Sequence, residues 1–203
     1  VTLLYEKKDE IALGISFDYG SNHNHNELPL AALHCQRLGI EHVVVPLGFM
    51  HQYFKSSLLE SGDSIPDGSY DEENMKSTVV PFRNGVMLAV AAGIAESNGL
   101  TKVLIANHGG DHTIYPDCRP EFIAAMDAAV EAGTFARVRV VAPYTNISKA
   151  DIARRGRALG IDYAETWSCY KGGHVHCGTC GTCVERKEAL REAGIEDNTT
   201  YQS

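Results

Sequence analysis

The sequence lacks an excess of positive charge. Its 18 Lys and Arg face 26 Asp and Glu, for a formal charge of −8. Tracking a phosphate backbone requires a basic face, so no direct nucleic-acid partner is expected. A small anion held by a local cluster of Arg and Lys remains compatible with that balance. No apolar run is expected to be long enough to span a bilayer, so no membrane partner is expected. No secretory leader is visible; the first residue is Val1, and the natural start is expected to lie upstream. Internal repeats and low-complexity tracts are also missing. An even spread of cysteines is absent too: four of the six lie between residues 169 and 183. An extracellular disulfide framework would distribute them, whereas clustering favours a metal in a reducing, cytoplasmic compartment.

What is present is ordinary for a globular chain, 44% hydrophobic and 22% charged, in which strand and helix patterns alternate. Strands are expected at Ile11–Phe17, His42–Leu47, Val103–Ala106 and Val138–Ala142. Helices are expected at Glu27–Leu38, Phe49–Leu59, Gly85–Ala95, Glu121–Ala132, Lys149–Leu159 and Val184–Ala193. The first helix should stop at Gly39. The third, rich in Ala, Val and Leu, should be largely buried. Ser61–Ser77 reads as a polar surface excursion. The alternation predicts an α/β fold with a mostly parallel sheet covered on both faces. Ligands of such sheets bind beyond the carboxyl ends of the strands, which here means Asp18–Asn26, Asn107–Arg119 and Pro143–Ser148.

Cys169, Cys177, Cys180 and Cys183 form C-x7-C-x2-C-x2-C. Four thiolates saturate tetrahedral Zn²⁺ and leave no position for a reacting water, so the zinc is expected to be structural. An iron–sulfur cluster also suits three close cysteines and a remote fourth, and disulfides or inert thiols remain as further readings. His174 and His176 are expected to be exposed loop residues, and Cys35 and Cys118 plain small side chains.

Two cations stand where helices should begin. Arg83 and Asn84 follow Pro81 and Phe82, and Lys149 follows Ser148, a candidate N-cap with Asp151 as its reciprocal acid. A cation there opposes the helix dipole, a conflict that an anion between it and the backbone N–H groups removes. Asn107-His108-Gly109-Gly110-Asp111-His112 leaves a strand through glycines that permit close backbone approach. Tyr115, Asp117 and Arg119 follow, offering acceptors and a planar donor fork. The intervening glycines argue against a helical His108–His112 metal pair, and Asn22–Asn26 reads as a loop and helix entry.

These residues add up to a resemblance. Ser16-Phe17-Asp18-Tyr19-Gly20, Val80-Pro81-Phe82-Arg83-Asn84, Tyr115-Pro116-Asp117-Cys118-Arg119-Pro120 and Thr166-Trp167-Ser168-Cys169-Tyr170, with the other three cysteines, resemble the 7-cyano-7-deazaguanine synthase family in content and order from about residue 1 to 190. The resemblance implies a PP-loop ATP-pyrophosphatase fold related to the adenine-nucleotide α-hydrolases. Residues 1–160 would form the ATPase domain and 161–203 a zinc-binding segment with its helix. Val1–Tyr5 resembles the helix after the phosphate loop, so the first strand and that loop are expected to lie outside this chain. The implied activity is ATP-dependent conversion of 7-carboxy-7-deazaguanine and ammonia to the nitrile preQ0, in queuosine synthesis, by a homodimer. Arg83 and Lys149 would neutralise the α-phosphate with Mg²⁺. Asn107, Asp111, Tyr115, Asp117 and Arg119 would hold the deazaguanine. Asp18, Tyr19, Gly20 and Asn84 would lie near ATP. Phe82 stands where the family more often has a smaller or polar residue. Two other readings are a PP-loop enzyme that thiolates tRNA, which would want a basic face, and a zinc-stabilised binding module without catalysis.

Overall fold

The computed structural model describes residues 1–60, 62–68, 75–111 and 114–202. Ser61, residues 69–74 of the polar excursion, and His112 lie outside the described residues, as does the side chain of Asp111. The chain divides into two compact units, one formed by Val1–Pro81 with Ala150–Ser203 and the other by Phe82–Lys149.

The first unit begins with α1 (Thr2–Glu6), β1 (Leu13–Asp18), α2 (Asn24–Leu38), β2 (Glu41–Pro46) and α3 (Phe49–Tyr53). Strands β1 and β2 pair in parallel, Leu13 opposite Glu41 and Asp18 opposite Pro46, with α2 as the crossover. Helix α2 stops where expected. Gly39 is left-handed at φ 67°, and its N–H donates back to the carbonyl of Gln36. The helix starts earlier than the apolar pattern suggested, because the His23 carbonyl accepts from the N–H groups of Asn26 and Glu27. Helix α3 ends at Tyr53 rather than Leu59. Beyond it the chain is extended at Phe54, and Ser56–Leu59 is buried. There Asn22 N–H donates to Leu58 O, Glu60 N–H to Gly20 O and Ser57 N–H to Ser77 O. Long-range backbone bonds thus replace the local ones that a helical pattern would use.

The C-terminal part of this unit holds α6 (Lys149–Ala158, its first residue belonging to the other unit) and α7 (Gly181–Ala193). Buried His34 fastens it to α1 and α2. Its Nδ1 accepts from the Tyr5 hydroxyl at 3.0 Å, and its Nε2 donates to Glu165 O at 2.9 Å. One turn on, the Arg37 fork grips the Glu165 carboxylate at 2.6 and 2.9 Å. That pairing holds the Glu165 carboxyl below its usual range.

The second unit contains α4 (Arg83–Ser97), β3 (Lys102–Leu104), α5 (Pro120–Gly133) and β4 (Arg139–Val141). Its core joins Leu88, Ala92 and Ala95 of α4 to Ile123 and Val130 of α5 and to Val138 and Val140. Strands β3 and β4 pair in parallel, Lys102 opposite Arg139 and Leu104 opposite Val141. Among the described residues the strands form two separate two-stranded parallel sheets rather than one. Alternation of strand and helix predicts parallel pairing, but not which strands become neighbours.

Helix α4 is buried along one stripe only, at Gly85, Leu88, Ala91, Ala92 and Ala95, whereas Ala89 and Gly93 are exposed. Contrary to the expectation of no bilayer-length run, Lys76–Ser97 is long and apolar enough by composition to cross a membrane. The regular helix within it has 15 residues, about 22 Å of length against a hydrocarbon core of about 30 Å. Its apolar stripe is also committed to the core just described.

Candidate functional site

The four cysteines converge. All are buried, Cys169, Cys180 and Cys183 at 0% exposure, and their sulfurs lie within 4.8 Å of one another. Cys177 and Cys183 Sγ are 3.9 Å apart, close to the ~3.8 Å edge of a tetrahedron of sulfurs around one Zn²⁺. A four-iron cluster, which places each thiolate on a different iron, needs a wider set. The residues therefore fit one shared ion. The backbone is shaped for negative sulfur: Cys177 N–H points at Cys169 Sγ (3.4 Å), and Thr179 and Cys180 N–H point at Cys177 Sγ (3.4 and 3.3 Å). Bonds from Cys169 and Cys183 hold the Cys180 thiol far below the ordinary range, while the bond to Cys180 pushes Cys169 up to about 11.

A wall of three aromatic residues, Trp167, Tyr170 and Tyr201, and aliphatic Ile65 packs against the cysteines. The Trp167 indole donates to Cys169 O at 2.8 Å, and its ring lies 4.2 Å from that of His176. His174 is exposed as expected, but His176 is buried. His176 Nε2 accepts from Ser168 N–H at 3.1 Å, and burial, then the nearby Arg186 guanidinium, lowers its pKa to about 4. It is a neutral acceptor that shapes the loop, and it is not among the metal-facing groups.

Three further pieces close this centre. Buried Arg186 on α7 donates to Thr199 Oγ1, Thr166 Oγ1, Ser168 Oγ and Tyr163 O. The tail bridges to the loop through His176 N–H to Thr200 O and Gln202 N–H to His176 O. On that tail the Tyr201 hydroxyl donates to Asp197 at 2.6 Å, and Lys187 Nζ lies 4.2 Å above its ring. The polar excursion returns as well: Asp67 accepts from Lys171 Nζ and Thr179 Oγ1 at 2.5 Å each, and Gly68 N–H donates to Thr179 O. Asp67 and Gly68 are thus docked on the cysteine turn. So is the start of α2, where Asn26 Nδ2 donates to Gly173 O at 3.0 Å. A Cβ on Gly172, at φ 65°, would lie 1.8 Å from Asn22 O, so only glycine fits there.

Still in the first unit, the turn after β1 is knit from its own residues. Asp18 Oδ1 accepts from Gly20 N–H (3.3 Å) and Asn24 Nδ2 (2.8 Å), and Ser21 Oγ donates to Asn24 Oδ1 (2.7 Å). Tyr19 is buried and Asp18 is exposed. Gly20 is left-handed at φ 73°, and an added Cβ would lie 2.7 Å from the His51 ring.

In the second unit, Arg83 and Asn84 are the first two residues of α4, and Lys149 opens α6. The carboxylate that caps α4 comes from a distant turn. Asn84 N–H donates to Asp117 Oδ2 at 2.8 Å, and Asn84 Nδ2 donates to Asp117 O (3.1 Å) and Cys118 Sγ (3.2 Å). From the strand side, Asn107 Nδ2 donates to Cys118 O at 2.8 Å. Three sequence-predicted positions, Asn84, Asn107 and Asp117, are thereby gathered at the turn Pro116–Cys118, between buried Tyr115 and Arg119. Of Asp111 the backbone is described, in the turn Gly109–Asp111.

The profile of a family described as queuosine biosynthesis protein QueC matches residues 1–194. The chain belongs to the QueC family. A relative from Porphyromonas gingivalis named 7-cyano-7-deazaguanine synthase is 67% identical over 202 residues, covering 100% of this chain and 92% of the relative. Relatives of the same name from Desulfotalea psychrophila and Paracoccus denitrificans are 54% and 50% identical, covering 96% and 93% of this chain and 89% and 81% of their own length.

Within this QueC chain, sequence reasoning located the metal-facing cysteines but missed what supports them. Arg186, Asp67 and Tyr201 are separated from the cluster in sequence or sit in unremarkable polar stretches, and nothing in their spacing marks them.

Proposed function

We propose that this chain makes 7-cyano-7-deazaguanine (preQ0) from 7-carboxy-7-deazaguanine, ammonia and ATP, as its relatives' name suggests. The observation that carries this is the 67% identity to a 7-cyano-7-deazaguanine synthase along the whole chain. The carboxylate oxygen is a poor leaving group. Adenylation, with loss of pyrophosphate, converts it into one that departs as AMP when ammonia attacks. A second adenylation of the resulting amide, followed by loss of AMP, leaves the nitrile.

For such chemistry the protein must mainly align reactants and neutralise charge at the α-phosphate. Arg83 and Lys149, at the first positions of their helices, are assigned that task with Mg²⁺ on the nucleotide. Asn107, Asp111, Tyr115, Asp117 and Arg119 are assigned to the deazaguanine, and the Asp18–Gly20 turn and Asn84 to the ATP side. Asp117 already caps α4 through Asn84, so one carboxylate couples the cation-bearing helix start to the substrate turn. The cysteine cluster is assigned one structural Zn²⁺. With residues 1–160 as the ATPase domain and 161–203 as the zinc-binding segment, the protein is read as a cytoplasmic homodimer that acts on small molecules, not on nucleic acid or membrane.

The test is to incubate the full-length protein with 7-carboxy-7-deazaguanine, ATP, Mg²⁺ and ammonium and to follow nitrile and AMP by mass spectrometry. Arg83→Ala should abolish both products while metal content and melting temperature stay unchanged. Near-normal turnover by that variant would remove Arg83 from the chemistry, and no nitrile from the parent protein would remove the reaction itself.

A further inference from the structure

Phe82 sits immediately before α4 in the left-handed region, at φ 53° and ψ 28°. A bulky aromatic residue there is a backbone outlier. The residue is nonetheless 59% exposed, so burial in the core does not account for the strain. The ring is held, not loose. It meets Phe122 edge-to-face at 5.7 Å, and it lies over the first turn of α4, where a Cβ on Gly85 would come within 2.3 Å of it. Any larger residue at 85 would displace the ring.

Two acceptors lie near this helix start. Asp117 is bonded to the N–H of Asn84, two residues after Phe82, and a carboxylate with one such bond keeps further accepting capacity. Asn107 is 5% exposed. Its Nδ2 is committed to Cys118 O, and its Oδ1 is buried without a hydrogen-bond partner among the described residues. An unpaired buried acceptor is costly, and a ligand N–H would relieve it. Two acceptors suit an edge that presents two N–H donors. The amino-pyrimidinone edge of a guanine-like base does so, with its ring N–H and exocyclic amine. The pairing edge of adenine offers one donor and one acceptor, and would set a lone pair against a carboxylate.

We propose that Phe82 is the stacking platform for the deazaguanine ring, with Asp117 and the Asn107 amide oxygen reading its N–H edge and setting the preference for this base over adenine. This rests on the reaction assigned above and adds to it the residue that grips the heterocycle. The left-handed backbone is what presents the ring beside Arg83 instead of packing it into the core of the unit.

The test uses the full-length protein and three variants, Phe82→Ala, Phe82→Tyr and Phe82→Gly, the last suited to the left-handed backbone and so a control for folding. Loss of one stacked base predicts a rise of about tenfold or more in KM for 7-carboxy-7-deazaguanine in the Ala and Gly variants. KM for ATP should stay within about twofold, and Tyr should restore the parent value. A shift in KM for ATP instead would assign the platform to adenine and overturn the proposal. Unchanged constants for both substrates, or a change confined to oligomeric mass, would overturn it as well. Calorimetric binding of 7-carboxy-7-deazaguanine separates this from the reaction itself. Phe82-dependent binding in a parent protein that makes no nitrile would sustain the platform and defeat the assigned reaction.

Discussion

Metal binding at the cysteine cluster should expel about three protons, and its affinity should fall steeply as pH is lowered. The perturbation is removal of the metal with a chelator, followed by re-binding at different pH values. At the 3.9 Å separation of Cys177 and Cys183 sulfurs, two thiolates at an effective dielectric of about 20 repel by about 4 kcal/mol, or about three pKa units. Such neighbours cannot all ionise without a cation between them. By this repulsion the metal-free cluster near neutrality holds about one thiolate. The metal-bound cluster needs four thiolates. The difference is about three protons, so affinity should drop about a thousandfold per pH unit as pH falls. His176 adds nothing to this slope, since burial keeps it neutral down to about 4.

Competition against a chromogenic zinc chelator, about one pH unit apart around neutrality, measures the slope. Calorimetry in buffers of different ionisation enthalpy counts the protons. The single tryptophan, Trp167, stacked on His176 and bonded to Cys169 O, should report loss of metal by a red shift in emission. A slope below about tenfold per pH unit would mean that the four thiols are not the ligands together, and the reasoning would fail.

Two further outcomes follow from neighbouring contacts. Tyr201→Ala removes a ring that walls the sulfurs and carries the Asp197 and Lys187 contacts; metal transfer to a chelator should speed up by about tenfold or more, at unchanged stoichiometry. Gly20→Ala forces a side chain into the left-handed region and to within 2.7 Å of the His51 ring. It should cost about 1–3 kcal/mol and lower the melting temperature by several degrees, and an unchanged melting curve would show that the turn relaxes freely.

The sequence by itself determined the local chemistry of this protein. Gly39 stopped α2 because only a residue free to adopt positive φ closes a helix in that way. The cysteine spacing marked a set able to hold a metal ion, because four thiols so close in sequence can reach one ion. The alternation of strand and helix gave the parallel pairing, and the ordered motifs gave the family. What only the tertiary structure decided were relations between residues far apart in the chain. Asp117 caps α4 across 33 positions, Asp67 clamps Thr179 across 112, and Ser56–Leu59 leaves its helical pattern to bond with residues 20–22 and with Ser77. Burial separated His176 from exposed His174, although both stand in the same polar loop. Periodicity and spacing record what a segment can do with its own neighbours. The partner of a lone carboxylate, a buried ring or an extended backbone is chosen by packing, and no short-range pattern encodes it.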